Sequence, residues 1–181
     1  MKICNTLIPD VKLITPVCYK DTRGEFIESY RCDLLKNNGI DYEFVQDNIV
    51  ESKENILRGL HFQKINPQGK LIQALSGKIF DVAVDIREKS STYGNWVGEF
   101  LSDENKKQLF IPPGFAHGYC VVSNNAKVMY KCTDYFNPND QYGIIWNDPK
   151  INIKWPINSP VLSDKDKLLP QLKFILEDVN K

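Results

Sequence analysis

His61 and His117 are the only histidines in a chain of 181 residues. The first stands in LRGLHFQ (57 to 63), between aliphatic and aromatic neighbours, and the second in IPPGFAHGY (111 to 119). A histidine beside apolar residues is more often a satisfied core residue than a catalyst, so its neighbours have to decide. Arg58 precedes His61 on the same run. Lys70 follows it across a turn marked by Pro67 and Gly69, where a hairpin would bring the lysine back beside the histidine strand. Two cations near an uncompensated imidazole depress its pKa and keep it a neutral base.

A metal site would ask for two or three imidazoles and a carboxylate at close spacing. No HxH or HxxxH occurs, and the position two after His61 is Gln63. His61 and His117 alone are too few ligands, so no metal is expected. Tyr130, in KVMYKCTDYF (127 to 136), shares strand parity with Val128 and Cys132 and so faces the interior, where by itself it reads as a core tyrosine with its hydroxyl satisfied. Arg23 and Glu28, in DTRGEFIE, read as a surface pair worth little energetically. LSDKDK (162 to 167) reads as a solvated helix start.

The elements that must position these groups are mostly strands. FDVAVDIR (80 to 87) alternates Phe80, Val82, Val84 and Ile86 with Asp81, Ala83, Asp85 and Arg87, the pattern of a half-buried strand. KLIQAL (70 to 75), NWVGEFL (95 to 101), QLFIP (108 to 112), GYCVVS (118 to 123) and KVMYKCTDYF read similarly. Turns are expected at NPQG (66 to 69), SGK (76 to 78), PPG (112 to 114) and SNNA (123 to 126). Strands at such intervals predict an antiparallel sandwich or barrel rather than βαβ units. Helices are peripheral: RCDLLKNNG (31 to 39) stops at Gly39, and a tail helix opens at Ser163, with Asp166 three residues on as its capping partner and Pro170 breaking or bending it.

With no repeat, low-complexity tract or linker, one domain is expected over residues 1–181. Lysine plus arginine (23) balances aspartate plus glutamate (23) at a pI near 6.7. That leaves no field to draw nucleic acid or an anionic membrane. MKICNTLIPD has no signal-like apolar block and no apolar run is long enough to span a bilayer, which predicts a cytoplasmic protein. Five cysteines without CxxC spacing (Cys4, Cys18, Cys32, Cys120, Cys132) read as buried thiols, not as a disulfide framework or zinc site.

DTRGEFIE, FVQDN (44 to 48), LRGLHFQ, PQGKL (67 to 71), VDIR, STYGNW (91 to 96), IPPGFAHGY, YKCTDYF (130 to 136), GIIWNDP (143 to 149) and LSDKD (162 to 166) occur in this order. Together they resemble the dTDP-4-dehydrorhamnose 3,5-epimerases, the RmlC-type cupins, from about residue 10 to about residue 170. The resemblance implies an all-β-dominated fold, a cupin double-stranded β-helix or jelly roll with short peripheral helices, usually in a homodimer. It implies inversion of C3 and C5 of dTDP-4-keto-6-deoxyglucose, giving dTDP-4-keto-rhamnose, with no metal or redox cofactor because the substrate ketone is its own electron sink.

By the same resemblance His61 is the base, oriented by Asp166; Lys70 stabilises the C4 oxyanion; and Tyr130 returns a proton from the opposite face. Diphosphate and nucleotide fall to Arg23, Glu28, the Gln46, Asp47 and Asn48 segment, Arg58, His117 and Lys165, with Arg23 and Glu28 reaching ligand in the partner subunit. Two positions depart from the family: Phe136 stands where tyrosine often stacks on thymine, and Gln141 where glutamate often lies near the nucleotide. If the strand through Tyr130 ran unbroken to Phe136, both would face the barrel mouth about 20 Å apart at ~3.3 Å per residue. The rival readings are an epimerase for C3 or C5 alone, on a related nucleotide-linked 4-keto sugar, and a silent cupin that only binds a sugar nucleotide.

Overall fold

Runs of β-branched and aromatic residues, broken by Gly, Pro and Asn, form the strands. The computed structural model describes residues 1–173. Among them the strands are β1 (Lys2–Asn5), β2 (Lys12–Thr15), β3 (Cys18–Asp21), β4 (Gly24–Ile27), β5 (Gln46–Lys53), β6 (Leu57–Gln63), β7 (Lys70–Asp85), β8 (Trp96–Ser102), β9 (Gln108–Ile111), β10 (Phe115–Cys132) and β11 (Gln141–Gly143). Helices α1 (Cys32–Asn37) and α2 (Asp164–Lys167) are short, and β3 with β4 forms a separate hairpin.

Everything else joins one antiparallel sheet built on β7 and β10, which pair along residues 79–85 with 115–121 and again along 70–77 with 126–132. One half runs β8-β7-β10-β6-β11 and the other β1-β2-β9-β7-β10-β5. This is the expected cupin jelly roll, with one difference in how it is cut. SGK and SNNA are not hairpin turns but bends within β7 and β10. Gly77 makes the first bend with φ +73, and a Cβ there would stand 2.1 Å from the Asn125 carbonyl oxygen.

Two further expectations change. β6 and β7 are not a hairpin pair, because β10 lies between them and Lys70 sits opposite Cys132 instead. β10 stops at Cys132, short of Phe136, because its partner begins at Lys70 and the ladder runs out; Thr133 is held instead by the Gly69 amide, 2.7 Å from its hydroxyl. The parity argument linking Tyr130 to Phe136 therefore does not apply.

The alternation in FDVAVDIR is present, but both faces of Phe80–Asp85 are buried. Ile79 and Ala83 pack inside the barrel with Ile72, Val121 and Val128. Phe80, Val82 and Val84 pack outward under the segment that carries Ile144, Ile151 and Leu172. The polar alternates are consequently interior and must be paired. Asp85, fully buried, accepts from Arg87, Ser90 and Thr92, and these bonds hold its carboxyl down at about 2 against burial, which alone would raise it. Of the cysteines, Cys120 and Cys132 are buried as expected; Cys4, on edge strand β1, and Cys32, opening α1, are exposed, and Cys18 lies between.

α2 forms where the tail helix was expected, with the Ser163 hydroxyl accepting the Asp166 amide at 3.1 Å, and it ends at Lys167, before Pro170; the tail beyond residue 173 lies outside the described residues. The strap bearing α2 is tied on both sides. Leu57 N–H donates to the Val161 carbonyl at 3.0 Å, and Leu172 N–H to buried Asp148 at 2.7 Å.

β6 and β10 approach unusually closely where each carries a histidine. Gly59 has φ +121, and a Cβ on it would stand 2.6 Å from Gly118 Cα; one on Gly118 would stand 2.7 Å from the Arg58 carbonyl oxygen. Neither neighbour is a flexible side-chain tip. Gly118→Ala should therefore push β6 off β10 and cost about 1 to 3 kcal/mol, the usual range for forced overpacking. Urea denaturation measures this, and a midpoint equal to that of the unsubstituted protein would show that the strands have room.

Candidate active site

A cavity of about 530 Å³ lies between the two halves of the sheet. β6 supplies Arg58 and His61 to its wall; β10 supplies His117 and Tyr119 before its bend and Tyr130 and Cys132 after it. Lys70 enters from the first residue of β7, Gln46 and Asn48 from β5, and Lys165 and Asp166 from α2. Phe136 and Gln141 complete the rim.

His61 and Asp166, far apart in sequence, meet at 2.7 Å between Nε2 and Oδ1. Asp166 is buried and the imidazole about a quarter exposed, so the pair has one dry and one open end. A carboxylate only accepts, so Nε2 carries the proton and Nδ1 keeps a lone pair free to act as a base. Burial would raise the Asp166 carboxyl. The bond from His61, the Gly59 amide at 3.5 Å and Ser163 outweigh it and hold the carboxyl below its usual value.

His117 is opposite His61 across the β6–β10 ladder and repeats the arrangement deeper in, its Nε2 lying 2.8 Å from Oδ1 of fully buried Asp81. Burial drives the His117 pKa down, against the upward pull of Asp81, so the neutral imidazole is favoured. The other Asp81 oxygen has no hydrogen-bond partner among the described residues. Lys70 lies within the field of that carboxylate. Burial lowers its pKa while Cys132 and Asp81 pull it back up. On the far half, burial pushes the Tyr130 phenol up to about 12, so it stays protonated at neutral pH. A carboxylate-held imidazole, a buried lysine and a protonated phenol around one cavity are equipped to move protons on carbon beside a carbonyl.

Most of the expected site residues are brought together here, and three are not. Asp47 alternates with Gln46 and Asn48 on β5, so it points away and pairs with Lys131 at 2.9 Å. Arg23 and Glu28 lie on and just after the β3–β4 hairpin, exposed, with Arg23 on Asp21. Lys165 donates to Gln141 at 2.5 Å, and among the described residues no carboxylate pairs with it. Asp81, Tyr119, Gln63 and Gln68 went unnoticed in the sequence. Asp81 left one signal, an acid four residues before Asp85 on the same parity of a run whose residues between them are all apolar. No group of three or more His, Cys, Asp or Glu side chains among the described residues could hold a metal ion.

The family model described as dTDP-4-dehydrorhamnose 3,5-epimerase matches residues 5–173. A protein of that name from Neisseria gonorrhoeae is 52% identical over 92% of this chain, and the chain spans only 51% of that relative's length. One from Salmonella typhimurium is 49% identical over 95% of this chain and 96% of its own. A crystal structure of the Legionella pneumophila dTDP-6-deoxy-D-glucose-3,5-epimerase, in complex with dTDP-4-keto-L-rhamnose, superposes with a TM-score of 0.95 at 47% identity, covering 98% of this chain and 96% of that one.

The lowered pKa of His117 is open to measurement. In a 15N-histidine NMR titration one of the two imidazoles should keep the neutral Nε2–H form to lower pH than an ordinary histidine near 6.5. That signal should disappear in His117→Gln. A His117 already charged at pH 7 would contradict the buried, neutral second pair.

Proposed function

The chain belongs to the dTDP-4-dehydrorhamnose 3,5-epimerase family, and from that membership and the cavity we propose that it inverts C3 and C5 of dTDP-4-keto-6-deoxy-D-glucose, giving dTDP-4-keto-L-rhamnose. The observation that carries the reading is the division of labour across the cavity: a carboxylate-held imidazole on one half of the sheet and a protonated phenol on the other. The C4 ketone acidifies the hydrogens on both neighbouring carbons. His61 takes one of them through Nδ1, with Asp166 stabilising the imidazolium that forms. The electron pair left behind moves onto the C4 oxygen, where the Lys70 ammonium meets a charge that is greater in the transition state than in the ground state. Tyr130 then protonates the same carbon from the other side, and solvent restores both groups. An enolate carbon is far more basic than a phenoxide, so even a phenol near 12 can supply this proton.

The nucleotide end needs cations, and Arg58 and Lys165 supply them at the wall; a guanidinium fork suits phosphate oxygens. Phe136, at the rim and about half exposed, offers a flat apolar face for the base. Arg23 and Glu28 would reach a second copy's cavity in a homodimer. The same hairpin exposes Tyr19 and Phe26, at 62% and 68%, which a second copy would cover. The chain would work as one cupin domain in the cytoplasm, supplying a rhamnose precursor for cell-surface polysaccharide. No helix among the described residues is long and apolar enough to cross a membrane.

Incubation in D2O with dTDP-4-keto-6-deoxyglucose, followed by NMR, should show deuterium at both C3 and C5, and His61→Ala should slow both at least ~10²-fold, the low end for a positioned general base. Label at one carbon would reassign the chain as a mono-epimerase, and no label at all as a binding cupin. Turnover should also survive exhaustive chelation, since the donor set assembles no metal site among the described residues. Activity lost to EDTA and restored by a divalent metal would overturn the metal-free route.

A further inference from the structure

Phe136 presents a difficulty for any ligand that stacks on it. It is 48% exposed and lies beyond the end of β10, on residues 133–137, which belong to no strand or helix. Neither core packing nor a backbone ladder fixes its ring. What holds the segment is a set of side-chain amides, and all three come from glutamines on different elements.

Gln68, in the loop before β7, donates from Nε2 to the Asp134 carbonyl at 2.8 Å. Gln63, the last residue of β6, donates to the Tyr135 carbonyl at 3.2 Å and to the Asn66 carbonyl at 2.8 Å, and accepts the Asn137 amide at 2.8 Å. Gln46, the first residue of β5, accepts the Phe136 amide at 2.9 Å while its own Nε2 bonds Asn48. One backbone group of each residue from 134 to 137 is thus bonded to a glutamine. The hold is reciprocal, because buried Asp140, just past this segment, accepts the amides of Lys64, Ile65 and Asn66 in the loop that carries Gln68.

We propose that Gln46, Gln63 and Gln68 form a clamp that sets Phe136 at the cavity rim, making Gln63 and Gln68 positioning residues for nucleotide affinity. The inference rests on the reading of Phe136 as the stacking face for the base. Gln63 is the decisive member. It is 5% exposed, and both its amide hydrogens are already bonded to backbone carbonyls, so it has no donor left for a ligand although it borders the cavity. Its influence must therefore pass through the segment it holds. Removing the amide would leave the Tyr135 carbonyl and the Asn137 amide without partners, and the segment would move to recover them from water.

A double-mutant cycle on the full chain tests this, with dTDP binding by calorimetry and steady-state kinetics as readouts. Gln63→Met should weaken dTDP and raise KM about 10-fold, part of what losing one base–aromatic stack costs, with a much smaller change in kcat. In a Phe136→Ala background the same substitution should add almost nothing, since the group it positions is gone. Gln68→Met, which removes one bond from a less buried residue, should show a smaller effect of the same kind and serves if Gln63→Met folds poorly. Equal weakening in both backgrounds would mean that Gln63 acts directly or globally, and would overturn the clamp. Unchanged dTDP affinity in Phe136→Ala would remove the stacking reading and the clamp with it. Deuterium exchange at C3 and C5 by the unsubstituted protein stands apart from all these outcomes and tests the epimerase reading alone.

Discussion

The antiparallel ladder between β7 and β10 is the constraint on which the molecule depends. It runs through both halves of the sheet, so any residue on either strand has its height and facing set by register with the other. His117 and Tyr119 face inward before the bend and Tyr130 and Cys132 after it, which brings groups from one strand to both sides of a single cavity. β6 adds His61 by lying against β10 so closely that only glycines fit at the contact. Asp166 comes from outside the ladder, on a strap tied to β6 at Leu57 and held by Asp148 beyond α2.

Burial within that ladder also accounts for the electrostatics. An ionisable group taken out of water favours its neutral form unless a partner compensates. Asp85 receives a set of donors that outweighs burial, whereas His117, Lys70 and Tyr130 receive less than burial removes and shift towards their neutral forms. The cavity thus carries proton donors and acceptors together with two cations, Arg58 and Lys165, that pair with no carboxylate among the described residues. Among the described residues the Lys165 ammonium meets the neutral amide of Gln141 and no carboxylate, so its charge is not neutralised there. In a chain with no net charge, positive potential at the cavity wall comes from this local arrangement.

Elements with strong local signals were legible. The period-2 runs located β7, β8, β9 and β10, Gly39 ended α1, and Ser163 capped α2, whereas β1 to β5 and β11 carried no such mark. The motifs placed His61, Lys70, Tyr130, Asp166, Arg58 and His117 in one functional group, and all six border the same cavity. Less legible was anything decided by what lies across a strand. SGK and SNNA contain turn residues, and nothing within either segment tells a hairpin turn from a bend continued by a neighbouring strand. Asp81 and Asp85 look like the wet face of a sheet until the outer layer and the barrel interior are both known.

The residue types and their order determined the fold class, the family and the inventory of acids, bases and cations, because these follow from short-range alternation and from motifs read along the chain. The tertiary structure alone decided that Asp81 pairs with His117, that Asp47 faces away while Gln46 and Asn48 face in, that β10 ends before Phe136, and that three glutamines bind the segment beyond it. Each of these is a contact between residues distant in sequence, set by strand register and by where a ladder loses its partner. Neither quantity is encoded in the local pattern of either segment alone.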